Sequence, residues 1–200
     1  MNVQINQKYF NIDTFSMDEL ISLVEKEMEL EGKVVSHYKI DGQVIYDLDE
    51  LINQTTISLP NKIEVVLITK EELAVNALKS ALDYLDRALP EIQFLADEFY
   101  SGSQSENWVK LGDLVDGLNW IFQVFDFVFN VNLKGDMIEK LGSNFVEIKE
   151  ELPGLLEAME QQDTVTIADI ICYEIKPLLE EIKVLIKKVL ESWENKNNVI

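Results

Sequence analysis

The sequence predicts an α+β chain, with a small mixed domain over residues 1–70 and an all-α bundle of four or more long helices over residues 71–200. Three observations carry this. Short β-branched runs with alternating polarity and turn residues fill the first seventy positions. From Glu71 onward no strand pattern survives. Two of the later segments keep apolar residues at alternating steps of three and four, the spacing of a bundle seam.

Taken in order, Val3 and Ile5, then Phe10 and Ile12, alternate with polar neighbours across Asn6-Gln7-Lys8, which predicts a hairpin of short strands. Ser16 with Glu19 three residues on predicts a capping box. Met17, Leu20, Ile21, Val24 and Met28 continue at helical spacing, and Gly32 supplies the stop. Val34 to Ile40 and Val44 to Tyr46 flank Asp41-Gly42, a pair suited to a tight hairpin with positive φ. Asp47 to Ile52 predicts one short helical turn. Ile63 to Thr69 is apolar on both faces and reads as a buried central strand.

The segments MNVQI, SMDELISLVEKEMEL, YKIDGQVIY, DLDELI and IEVVLIT, in that order, resemble the ubiquitin-like β-grasp fold over residues 1–70. The resemblance implies a docking module. It does not imply a conjugated modifier, because Thr69 runs into Lys70-Glu71-Glu72 where such modifiers end in Gly-Gly.

The helical part divides into stretches near 71–100, 105–131, 136–160 and 165–196. Pro90, Pro153 and Pro177 fall inside three of them, and each is expected to kink or split its helix by removing a backbone donor. Trp108, Leu111, Val115, Leu118, Phe122, Phe125 and Phe129 form one seam; Ile171, Ile175, Leu178, Ile182, Leu185 and Val189 form another. Tyr173 and Glu174 precede Pro177 and are placed to use the carbonyl it frees. The surrounding ADIICYEIKPLLEEI resembles a stretch of uncharacterised helical proteins of Gram-positive bacteria, which implies no activity.

Charge narrows the partners. Acidic residues number 37 against 17 basic, a net −20, with 25 acids and 11 bases after residue 70. Such a surface repels phosphate backbones and anionic lipid, so neither nucleic acid nor membrane is expected. A partner protein with a basic surface fits better. Arg87 is the only arginine, which disfavours bidentate phosphate or carboxylate recognition. The lone Cys172 and the absence of a basic-then-apolar leader or of 18 consecutive apolar residues point to the cytoplasm.

Catalytic and metal chemistry find little support. His37 stands alone in a predicted strand, and Cys172 in an apolar helix; both read as structural. No zinc ligand set, Glu-x-x-His pair, EF-hand, phosphate loop or G-x-S-x-G occurs, so no metal or cofactor is expected. Glu150-Glu151 and Glu180-Glu181 read as solvated faces. The most distinctive feature is the aromatic helix carrying Trp108, Trp120, Phe122, Phe125, Phe127 and Phe129. Two readings of it stand together. It is a buried core element, or it lines a groove for a partner's amphipathic helix or a second copy of the chain, with Tyr84, Phe94, Phe99 and Tyr100 on the same groove. The expected function is a non-enzymatic adaptor, assembly factor or regulator that binds a partner through Trp108, Trp120, Phe122, Phe125, Phe129 and Tyr173. The alternative is a helical domain with an aromatic pocket for a small molecule.

Overall fold

The computed structural model describes residues 2–11, 16–57, 60–102, 105–131, 133 and 135–197. The chain is α+β and forms two compact units, Met1–Leu73 and Ala74–Ile200. Each has its own hydrophobic core.

The first unit is a five-stranded mixed sheet with two helices: β1 (Asn2–Ile5), β2 (Lys8–Asn11), α1 (Met17–Glu31), β3 (Val34–Ile40), β4 (Gln43–Ile45), α2 (Leu48–Ile57) and β5 (Lys62–Ile68). Strand order is β2-β1-β5-β3-β4. The β1–β5 pair is parallel and the other pairs are antiparallel. Leu20 and Val24 of α1 join Val3, Ile5, Ile63, Val65 and Leu67 in one core. Ile12, the last residue of the expected first hairpin, lies outside the described residues.

Two short polar side chains, Asn6 and Asp41, and one ion-pair cluster tie this topology together. Asn6 sits at φ 50 in the β1–β2 turn, the left-handed region that Asn tolerates. Its amide donates to Leu67 O (3.1 Å) and accepts from Leu67 N (2.8 Å), extending the β1–β5 ladder by one side chain. Asp41 (φ 47) and Gly42 (φ 94) both take the positive φ that the predicted β3–β4 hairpin requires. Asp41 also accepts from Asn61 N and Lys62 N at the start of β5. Lys8 pairs with Glu27 (2.5 Å) and Glu31 (3.1 Å), which ties the first hairpin to α1 and gives the buried Glu27 a counter-charge.

Several expectations change. Ser16 occupies the N-cap of α1 with extended backbone, but its side chain makes no cap hydrogen bond. The reciprocal capping box forms instead at Thr69 and Glu72. Thr69 N donates to Glu72 Oε2 (2.8 Å) and Glu72 N to Thr69 Oγ1 (3.1 Å), opening the long third helix at the next residue. The short turn expected at Asp47–Ile52 is the ten-residue α2, because Asp47 Oδ1 accepts from Asp49 N and Leu51 anchors the helix at zero exposure. β5 is central, yet only Ile63, Val65 and Leu67 are buried; the residues between them are half-exposed, since α1 covers one face alone.

The second unit is helical: α3 (Lys70–Ser101, entering from the first unit), α4 (Ser105–Asn130), α5 (Asp136–Gln161), α6 (Thr164–Asp169), a π-helical turn (Ile170–Ile175) and α7 (Lys176–Asn197). Neither Pro90 nor Pro153 splits its helix. Both rings are exposed, so the carbonyls left without an i+4 donor face water. Only Pro177 coincides with a break: the π-helical turn precedes it, and Lys176 N donates to Ile171 O, five residues back. The wide turn moves the buried seam. Leu179, not Leu178, takes the core position between Ile175 and Ile182.

Candidate functional site

Where the second unit's helices meet is set by their aromatic and charged residues. Trp108 of α4 meets Phe99 of α3 edge-on at 5.4 Å, and Trp120 of α4 leans on Tyr84 of α3 at 5.5 Å. On another side of α4, Phe122, Phe125 and Phe129 pack around Phe145 of α5 at 4.7–6.2 Å. Lys149 lies over the Phe122 and Phe145 rings, a cation–π contact. The α4 aromatics therefore divide between two interfaces. Phe125 is fully buried and Phe122 nearly so; Trp108 and Phe129 are half-buried; Trp120 is 38% exposed. Phe122 and Phe125 are therefore core residues, while Trp120 remains partly exposed.

Exposed large apolar side chains occur on every long helix of this unit, those on α3 being Phe94 and Tyr100. Phe94 is 61% exposed, beside a cavity of about 280 Å³ between α3 and α4 whose floor is Ile92, Leu95 and Leu114 and whose end wall is Tyr84. Tyr84 reaches this wall because Gly117 of α4 leaves room: a Cβ there would overlap the Tyr84 hydroxyl. Burial, with Asp113 nearby, pushes the Tyr84 phenol above its ordinary value. Phe94, Glu91 and Lys110 also line a second cavity of about 540 Å³, which continues toward the C-terminal end of α3 past Asp97, Glu98 and Glu106.

Charge on this groove is one-sided. Five carboxylates line it (Glu91, Asp97, Glu98, Glu106 and Asp113) and, among the described residues, one ammonium, Lys110. Lys110 donates to both oxygens of Glu98, at 2.9 and 3.0 Å, and Asn107 donates to the same carboxylate at 3.2 Å. The hydrogen bond to Glu98, with the charges of Glu98, Glu106 and Glu91, holds Lys110 above the ordinary lysine value. The arrangement can take an apolar side chain beside Phe94 and a cation beside the acidic edge.

Tyr173 stands elsewhere, 65% exposed on the π-helical turn. It is near Tyr100, whose hydroxyl donates to Asp169 Oδ1 at 2.5 Å, joining the end of α3 to α6. The Asp169 hydrogen bond raises the Tyr100 phenol well above its usual range. Of the other singled-out residues, His37 is half-buried beside a bulge in β3, with Ser36 Oγ 3.1 Å from Nδ1 and the Tyr46 ring at 5.8 Å. Burial, then Lys39, lowers its pKa. Cys172 is half-buried against the helical core. Glu180 pairs with Lys176 across one helical turn. Among the described residues, no group of three or more His, Cys, Asp or Glu is placed to hold a metal ion, and no helix is long and apolar enough to cross a membrane.

Sequence reasoning placed Tyr84 and Phe94 on a groove with the aromatic helix. It missed Lys110, Glu98 and Gly117. Their signal is Glu91, Phe94 and Glu98 at steps of three and four on α3, with Lys110 and Asp113 spaced alike on α4.

Comparison with known proteins adds relatives. An "Uncharacterized protein" of Treponema pallidum (strain Nichols) is 26% identical over 176 residues, covering 84% of this chain and 85% of the relative. No solved structure matches the chain. Residues 76–185, which contain the whole α3–α4 groove and the π-helical turn, match the family described as domain of unknown function (DUF8042), and the chain belongs to that family.

Proposed function

We propose that this protein is a non-enzymatic interaction module, an adaptor, assembly factor or regulator of the cytoplasm, that binds a partner protein with a basic surface through the α3–α4 groove. The observation that carries the reading is an exposed phenylalanine, Phe94, beside an apolar floor on a groove lined by five carboxylates. An aromatic anchor with a charged rim is how protein interfaces divide affinity from steering. The parallel β1–β5 pair flanked by two antiparallel hairpins, with α1 across one face, supports reading the first unit as the β-grasp module its sequence resembles. Contacts of α4 with α5, of α5 with α6 and α7, and the Asp86–Lys183 and Lys79–Glu194 pairs between α3 and α7 support a four-helix bundle for the second.

The small-molecule alternative is weaker on magnitude. Of the groove's two cavities, the one of about 540 Å³ is lined mainly by charged and polar residues, unlike ordinary apolar ligand pockets, and the one of about 280 Å³ falls below their ~300–1,000 Å³. It suits one side chain of a partner better than a whole ligand.

The test uses the full chain as bait in an extract of its native cells, alongside Phe94→Asp. A partner retained by the wild type, identified, purified and titrated, is expected to lose at least about tenfold in affinity against the variant. It is also expected to bind less tightly as salt rises. Equal binding to both baits, or binding insensitive to salt, overturns the reading. A melting shift with apolar cationic compounds that Phe94→Asp abolishes would favour the pocket instead.

A further inference from the structure

The groove already holds one cation of its own. Lys110 lines both cavities, and its ammonium sits on the Glu98 carboxylate at 2.9 and 3.0 Å, with Glu106 at 3.9 Å. Lys110 and Glu98 are each 40% exposed, so the pair is wet and exchangeable. A cationic side chain from outside would find the same carboxylates arranged for it. Among the described residues, the remaining acids Glu91, Asp97 and Asp113 have no ion-pair partner within 4 Å.

The shape of the occupant follows from the backbone. α3 and α4 close their own hydrogen bonds, so an extended peptide would find no strand edge here to pair its N–H and C=O groups. A helix arrives with those groups paired. From Tyr84 to Ser101 the groove runs along about 26 Å of α3, the length of a helix of roughly 17 residues.

Resting on the reading of this groove as a docking site, we propose that its occupant is a basic amphipathic helix of a partner protein, which seats an apolar residue beside Phe94 and displaces Lys110 from Glu98 with a lysine or arginine of its own. Lys110 is then an internal competitor. It occupies the Glu98 carboxylate in the free protein and lets only a ligand offering both an apolar anchor and a cation gain from opening the pair.

The probes are three dye-labelled 18-residue peptides titrated into the full chain by fluorescence anisotropy: a leucine/lysine amphipathic helix, its leucine/glutamate counterpart, and a scrambled leucine/lysine peptide with no apolar face. Phe94→Ser and Lys110→Met are compared with wild type, with circular dichroism confirming that both variants keep their helices. The amphipathic basic helix alone is expected to bind well. Phe94→Ser should weaken it about tenfold. Lys110→Met should tighten it about two- to fivefold, because the competing cation is gone. A merely structural Lys110 would give the opposite sign.

Equal binding of the scrambled peptide reduces the effect to net-charge attraction and overturns the proposal, as does unchanged or weaker binding by Lys110→Met. A wild-type dimer in sedimentation that Phe94→Ser dissociates would assign the groove to a second copy and also overturn it. Should a native partner depend on Phe94 while all three peptides fail, the docking reading stands and the basic-helix occupant falls.

Discussion

Phe94 and Phe125 are the same residue type in neighbouring helices, and their burial assigns them opposite work. Phe125 is fully buried and packs on Phe129 and Phe145. Truncating Phe125→Ala removes a ring from a close-packed site and should cost about 3–5 kcal/mol in urea unfolding. Phe94 is mostly in water, so Phe94→Ser should change stability by under about 0.5 kcal/mol. A large loss on Phe94→Ser would show that the ring packs in the core and would contradict this division. Tyr100 offers a second residue-scale prediction. Its hydroxyl donates to the Asp169 carboxylate, a bond available only to the protonated phenol, so its folded pKa lies above the ordinary 10.0. A raised folded pKa contributes stability that is fully present below the unfolded value and is lost as pH rises through the folded one. Tyr84 and Tyr38 are also raised, by burial, so ultraviolet titration should show several late-ionising tyrosines, of which Asp169→Asn should return one toward the ordinary value. Superimposable titrations of the wild type and Asp169→Asn would contradict the bond.

At the scale of elements, the sequence was legible wherever one local rule governs and illegible where a side chain acts at a distance. Asp41-Gly42, Gly32 and the α4 seam through Leu111, Leu118, Phe122 and Phe125 state their geometry in neighbouring residues. The Asn6 bridge to Leu67 spans 61 positions, and the Lys110–Glu98 pair joins two helices; spacing puts Glu98 and Lys110 each on a helix face but announces neither contact. The last helix shows the cost of assuming α geometry throughout. Its buried positions Ile167, Ile171, Ile175 and Leu179 run in steps of four, each overshooting a full α turn by about 40°, and the π-helical turn absorbs the drift. Tyr173 is then the extra residue. Deleting it, with Pro177→Ala to remove the ring's clash, restores alternating steps of four and three down the seam. That variant should unfold at a urea midpoint no lower than wild type. Deleting Val184 instead turns Leu185, Ile186, Val189 and Leu190 about 100° off the core and should cost more than about 3 kcal/mol. If both deletions destabilise alike, the insertion account of the π-helical turn is wrong.

Across the whole molecule, a net charge of −20 gives salt two opposed effects. Like charges spread over a compact unit repel, and the Debye length shrinks from about 30 Å at 0.01 M salt to about 10 Å at 0.1 M. The favourable pairs, such as Lys183–Asp86 and Lys110–Glu98, are short and partly exposed, and each contributes only about 0–1 kcal/mol. The acidic excess is spread over many more residues than these pairs engage, so screening should remove more repulsion than attraction. The melting temperature of the helical unit should accordingly rise with added sodium chloride, by about 2–4 °C for each kcal/mol of repulsion relieved. Trp108, Trp120 and Trp193 all lie in that unit and report on it directly. Binding of the basic amphipathic peptide should move the other way over the same range, because there the screened charges are of opposite sign. Stability rising while affinity falls separates a charged docking surface from a fold held by its ion pairs. A melting temperature that drops with salt would show the specific pairs outweighing the net charge.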